Sequence, residues 1–549
     1  MALRFAFVVF ALSAGFLPAP QAWAQPPGDA SPGVELVASI PDRGIISARA
    51  RGNYLFASTV SGLSVYDISV AAKPVRVGRL ELPNSQNEDV ELGGKVLLIT
   101  DEPLVGKAQL HLVDISDPVN PRLLSSYDTY PRSGGRKGGI GHTASCIQEC
   151  RYAYLAGGPG IEIIDLRDPA RPRFAARFGA REATGGRMGT THDVQLDAGG
   201  LAWVAGTGGT AAYDVSDPVH PRLALRTDRS ANALGRRSPR RDGLNDFIHH
   251  NSLRLGADAP DIVTITEEDI TNGCRRAGSF QTWRIGSGGT LRNLDSWTAE
   301  RDRGAGTCSA HYHDARDGLV AQGWYDQGVR LLSVRRPERI RQVGWWVPRK
   351  GAVWGALFAP TDPSGSTVYA LNHGRGIDVL QLDRGRLRPA VRRPARRGTR
   401  HSQSNTSSLL IVPGKGREQI GAANTVKPGQ TFGVKLIVFA VSDLLRGGTA
   451  ELAVPPELGR PRGRGVRWDP VTRTARVRIS SMGRGMIVRL RFKVRRRIRP
   501  GRFFLEATVR SRTDVFALDD RALVTFQVRA GKGLTSAALR QPLYCRLAG

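Results

Sequence analysis

Apolar and polar positions along most of this chain fall into short runs, each too brief for a helix and each closed by a turn signal. The stretch from Thr190 to Asp228 shows the unit. His192–Leu196 and Leu201–Ala205 read as strands joined at Ala198-Gly199-Gly200. Thr210–Val215 follows Gly208-Gly209, and Arg222–Arg226 follows the turn at Asp217-Pro218. Four strands in about forty residues is the size of one propeller blade.

The unit repeats. Its best-kept piece is an apolar run ending in Asp and a Pro-rich turn: SVYDIS (64–69), HLVDISDPVNPRL (111–123), EIIDLRDPARPRF (162–174) and AAYDVSDPVHPRL (211–223). FQTWRI (280–285), VRLLSVRRPERI (329–340) and IDVLQL (377–382) are weaker copies, which brings the count to seven. The pattern predicts an all-β chain with a seven-bladed β-propeller over residues 33–386. The repeated Asp reads as structural, because its carboxylate can accept turn N–H groups while Pro fixes φ where no ladder bond is needed. The last blade, 352–382, shows only three strands, whereas VELVASI at Val34–Ile40 matches a fourth strand such as PVRVGRLEL at 74–82. The chain start is therefore expected to pair beside Ile377–Leu382, closing the ring and removing an open sheet edge.

VYDIS, LVDIS, IIDLR and AYDVS resemble the motifs of the LVIVD-repeat proteins, secreted or surface β-propellers of bacteria and archaea. The resemblance spans roughly the propeller and implies the fold; it says little about activity.

After 386 the pattern changes. Residues 387–406, rich in Arg and Pro, read as a linker. Residues 407–530 carry runs at Leu409–Val412, Phe432–Phe439, Ala450–Val454, Ala475–Ile479, Ile487–Val494, Phe503–Val509 and Leu523–Val528, with Pro-Gly turns at Pro428 and Pro500. This cadence predicts a smaller β-sandwich that resembles the Ig-like modules of bacterial surface proteins, with a spacer or adhesion role. Residues 531–549 are left as a tail.

At the other end, residues 1–24 read as a signal peptide: Arg4, then FAFVVFALSAGFL, then Ala22-Trp23-Ala24 as a small-x-small cleavage site. A secreted or cell-surface location follows, with a cell-surface or extracellular ligand as partner and no transmembrane segment after cleavage. The net charge of +30 comes chiefly from dispersed Arg. No nucleic-acid motif accompanies it, so nucleic acid is not the expected partner; an Arg bias or loose attraction to anionic wall polymers accounts for it. Five Cys in an exported chain ask for disulfides. Cys146 with Cys150 and Cys274 with Cys308 are the expected pairs, and Cys545 is left over. The alternative makes Cys274 or Cys308 a metal ligand.

Candidate chemistry lies in the histidines. When the blades are aligned, His142, His192, His250 and His311 occupy one position at the start of the first strand in four consecutive blades; Glu88 holds that slot in blade two, and Ile45 and Trp354 in blades one and seven. First strands are innermost, so these side chains should meet at one mouth of the central channel. Imidazole there suits Zn, Cu or Fe. A metal site and a metal-free polar lining both remain open, because strand parity alone leaves the ring directions unsettled. Glu88, His249, His313, His373 and Glu268 are expected as second-shell or ligand-contact groups, Glu268 first among them, whereas Asp101-Glu102 reads as a solvated turn. Two functions fit: a secreted binding or scaffold protein with a His-rich metal site, or a metal-dependent (Cu or Fe) oxidoreductase. The His array is similar in kind to those of carotenoid oxygenases and selenium-binding, methanethiol-oxidising proteins, without a shared continuous motif.

Overall fold

The computed structural model describes residues 28–389 and 408–528 apart from internal stretches, chiefly 83–88, 102–108, 130–140, 185–189, 228–247, 269–273, 300–307, 414–423, 441–447 and 512–520. Residues 1–24, Glu88, Glu102, the basic loop at 229–241, most of the expected linker and Cys545 lie outside the described residues.

Antiparallel meanders of four strands follow one another at 45–81, 90–128, 144–178, 191–227, 248–297 and 313–347. The next, 353–382, supplies three strands, and Val34–Pro41 completes it. Val34 lies opposite Leu382 and Ile40 opposite Ile377, with a bulge between Leu36 and Ala38. Two extra pairings tie the outer edges. Asp29–Ala30 adds a fifth strand beside Trp346 and Val347, and Arg226–Thr227 runs parallel to Thr290–Leu291.

The repeated Asp ends its strand as a turn acceptor. Asp67, Asp114, Asp165 and Asp214 each take the N–H two residues on, at 2.8–3.0 Å. These bonds hold Asp67 and Asp214 below the usual carboxyl range; Asp114 and Asp165 are held low chiefly by the Ser116 and Arg167 side chains, with the backbone bonds adding to the effect.

The inner strands of each meander are largely buried on both faces because the meander packs between two others, whereas outer strands such as Arg173–Phe178 are mostly exposed. Phe56 and Val65 of the first meet Val90 and Leu97 of the second. Tyr154 and Ile163 meet Val194 and Val204, and Trp203 meets Val263 and Trp283. Tyr369 and Val379 of the last meet Leu55 and Tyr66 of the first. First strands of neighbouring meanders lie side by side about a common axis, including Val353–Phe358 beside Ile45–Arg51. This is a β-propeller arrangement. Both bridges form: Cys146–Cys150 across Cα atoms 4.4 Å apart and Cys274–Cys308 across 5.6 Å. Cys274 and Cys308 are therefore not thiolate ligands.

Beyond residue 407, Ser408–Pro413, Thr431–Phe439 and Met486–Lys493 form one sheet. A second contains Asn424–Val426, Gly448–Ala453, Val466–Asp469, Thr474–Ile479, Gly501–Ser511 and Arg521–Val528. Asn424–Val426 and Val466–Asp469 are too short for the sequence pattern to reveal. Leu436, Leu490 and Phe492 of the first sheet share a core with Leu452, Val477 and Leu505 of the second. No helix among the described residues is long and apolar enough to cross a membrane.

Candidate metal centre

The four aligned histidines meet at the axis. Ring centroids are 4.2 Å apart for His142–His192, 4.3 Å for His192–His250 and 4.0 Å for His250–His311. The Nε2 atoms of His142 and His192 lie 2.8 Å apart. Backbone irregularity turns the rings inward. The ladder shifts register between Thr191 and Asp193, where His192 sits, and between His249 and Ser252, where His250 sits. A bulge of this kind re-aims a side chain that simple alternation would send elsewhere. At His142 both Gly141 and His142 N–H groups donate to Ala156, with the same loosening effect. Gly157 lies so close that an added Cβ would come within 2.7 Å of the His142 Cβ, and its φ of +113° also favours glycine. Threonines lock the backbone: Thr100 donates to the His142 carbonyl and Thr143 to that of His192, each at 2.9 Å.

Glu268 closes the arc. Its Oε2 is 3.7 Å from His192 Nε2 and its Oε1 4.0 Å from His311 Nε2. Tyr325 donates its phenol proton to Oε1. One ligand atom each from His192, His250 and Glu268 falls within 4.8 Å of the others. Glu268 is therefore placed as a direct ligand candidate and not only as support. His311 Nδ1–H donates to the Trp354 carbonyl at 2.7 Å, which in the neutral ring leaves the lone pair on Nε2, facing Glu268. Tyr325 holds φ at +42°, an uncommon conformation for a bulky side chain, and is pinned by paired bonds with Val353. His250 and His311 are fully buried, while His192 and Glu268 keep side-chain exposures of 11% and 13%. The cluster is thus open on the His192–Glu268 side.

Three expected neighbours stand elsewhere. His249 bonds Thr210 Oγ1 at 2.9 Å beside Trp283. His313 bonds Thr264 at 2.7 Å and abuts Phe280. Burial pushes these imidazoles down to about 4 and about 3, respectively. His373 stacks on Trp354 at 4.8 Å, and that ring's centroid is 5.2 Å from His311. Asp101 is buried beside Gln109, not a solvated turn.

Sequence reasoning missed a second polar layer. Arg49 of the first meander donates from Nε to Glu91 at 2.8 Å. Its Nη2 lies 3.2 Å from Asp89, and it also donates to Gln195 across the axis at 3.3 Å. Asp193 accepts from Asn251 at 2.9 Å. Burial drives Asp89 well above the carboxylate range against the pull of Arg49, and lifts Asp193 to about 6 against Asn251 and Arg49. Only the polar residues inside otherwise apolar first strands could have signalled this layer.

The LVIVD-repeat family description matches residues 104–129, in the second meander. No curated protein matches the chain. Among solved structures, the periplasmic gluconolactonase of Pseudomonas aeruginosa is 13% identical, covering 82% of this chain and 98% of its own, with a TM-score of 0.40. The WD40 β-propeller domain of Doa1 is 9% identical, covering 65% and 99%, with a TM-score of 0.41. The chain is a β-propeller carrying an LVIVD repeat.

Proposed function

We propose that residues 33–386 form a single seven-bladed ring whose mouth binds one divalent transition-metal ion, Zn, Cu or Fe. In this reading the protein acts as a secreted or cell-surface binding scaffold, with residues 407–530 as an Ig-like sandwich module. One observation carries it: imidazoles from four successive meanders converge, and ligand atoms of His192, His250 and Glu268 among them lie within 4.8 Å of one another. A lone buried histidine is a common structural device; this convergence, with His311 held in the tautomer that offers Nε2, has the chemistry of a metal donor set. His192, His250 and Glu268 are the core ligands, and His142 and His311 complete the shell. A bound ion links meanders that otherwise touch only pairwise, so it stabilises the ring through its preference for the folded state. Ligands then dock at the mouth over the ion.

A second reading, a Cu- or Fe-dependent oxidoreductase, is favoured by the Tyr325–Glu268 bond beside the open side of the cluster. There the ion would supply electron transfer or Lewis acidity, while Tyr325 and Glu268 would hold a proton next to it. Thermal melting of the metal-loaded, tag-free protein with and without a chelator tests the shared claim. The chelator should lower the melting temperature of the wild type and leave that of a His192→Ala/His250→Ala variant unchanged. Equal melting in both conditions for the wild type would remove the metal from the account.

A further inference from the structure

We propose that the outward face of the sheet containing Met486–Lys493 binds a linear acidic polysaccharide. The proposal is independent of the metal reading. Along this strand and just past it, Val488, Leu490, Phe492 and Val494 are buried in the core, while Arg489, Arg491, Lys493 and Arg495 are exposed. On the strand's other side the segment after Leu458 pairs with it. Gly459 N–H donates to the Lys493 carbonyl, and Arg462 and Arg491 exchange both backbone bonds, at 2.9 and 2.8 Å. Arg462 therefore sits directly opposite Arg491, with both side chains on the same face and Arg460 exposed two residues earlier.

Like charges directly opposite in a sheet are destabilising. A sequence selected for stability alone would place a carboxylate at one of the two positions. Among the described residues no carboxylate pairs with these cations, and Glu451 and Asp469 are engaged by Arg476. The adjoining strand sets Thr431 opposite Lys493 and Gly433 opposite Arg491, so small side chains leave these two cations standing clear, and it sets another cationic residue, Lys435, opposite Arg489.

The result is a cationic grid with a pitch of roughly 7 Å along the strand and about 5 Å between strands. Guanidinium forks take carboxylate or sulfate groups bidentately. A polymer with an anion on successive sugars can engage several forks at once, so many weak contacts sum to useful avidity. Nucleic acid fits less well. Single-strand binders add aromatic platforms for the bases, whereas Phe432 and Phe492 here stack on each other, 5.7 Å apart, at the core.

The test uses the full chain and three immobilised probes: heparin, alginate and a mixed-sequence oligonucleotide. Arg489→Glu/Arg491→Glu/Lys493→Glu should weaken polysaccharide binding at least 30-fold, an order-of-magnitude figure for losing three charge-assisted contacts. Arg171→Glu/Arg336→Glu/Arg339→Glu makes the same charge change at exposed propeller positions and should alter binding by less than about threefold. Heparin against alginate separates sulfate from carboxylate recognition, and binding to either supports the proposal. Equal losses in both variants would reduce the effect to overall charge, and no loss in the first would remove this face. Tighter binding to the oligonucleotide than to both polysaccharides would assign the face to nucleic acid instead. Circular dichroism of each variant separates misfolding from lost binding. A misfolded triple variant is replaced by Arg491→Gln with Lys493→Gln, for which unchanged polysaccharide binding would equally refute the proposal.

Discussion

The propeller sheets and the sheets beyond residue 407 use the same antiparallel strands but bury them differently. Gly209–Asp214 is buried at every position but the last, whereas Thr474–Ile479 alternates buried and exposed. The inner strands of a meander sandwiched between two others have no solvent face, so each polar side chain within them must find a partner. That constraint gathers chemistry: His250, His311, Asp89 and Asp193 are all buried, and all lie against groups from other meanders. A sheet with one free face can instead display its charges to solvent, as Arg489 and Arg491 do. Burial on both faces concentrates polar function at the axis; burial on one spreads it over a surface.

The largest expected effect tests closure. Deleting residues 28–41 exposes the edge at Gly376–Leu382 and breaks the core shared by the last and first meanders, so the cooperative unfolding transition of the propeller should be lost. Deleting residues 407–549 should leave that transition in place, because among the described residues the core of the C-terminal sheets includes no propeller residue.

Next comes the two-sided core. Trp203→Ala, at a fully buried position that also bonds Asp197, should cost about 3–5 kcal/mol in denaturant unfolding. Val471→Ala, at a side chain 90% exposed in the C-terminal sheets, should cost less than about 0.5 kcal/mol. Arg49→Met should fall near the tryptophan value, at about 3–5 kcal/mol, since it strands the Asp89 carboxyl in the interior. Adding Asp89→Asn should recover part of that loss in a double-mutant cycle.

A smaller effect is set by pH. His111 is 1% exposed, bonds Ser126 at 2.8 Å, and burial pushes its imidazole down to about 4. Below about pH 6.5 the unfolded chain takes up a proton that the folded state refuses, so stability falls as pH drops from 6.5 towards 4. The loss from this group should be about 2 kcal/mol between pH 7 and 5. Unfolding of His111→Gln across that range should show a correspondingly shallower slope.

Much of this was legible in the sequence because it rests on local pattern. Strand runs, Asp-capped turns, the Val34–Ile40 segment and the two Cys pairs all follow from repeat register. What escaped depends on geometry across the chain. Parity could not tell where His192 and His250 point, because bulges, invisible in the hydrophobic pattern, set their direction. His249 and His313 were placed beside the cluster for being near aligned histidines in sequence, whereas both pack between meanders. Arg49, Asp89 and Gln195 lie in different repeats, and nothing local marks them as partners. The C-terminal alternation showed strands but not that Arg462 would face Arg491.

The central claim is that the axial histidines and Glu268 hold one metal ion. Elemental analysis of tag-free protein, equilibrated by dialysis against zinc, copper and iron in turn, tests it most directly. The account predicts about one tightly held ion of a single element per chain, lost in His192→Ala/His250→Ala and strongly reduced in Glu268→Gln. No bound metal in the wild type, or the same content in the double variant, would contradict it.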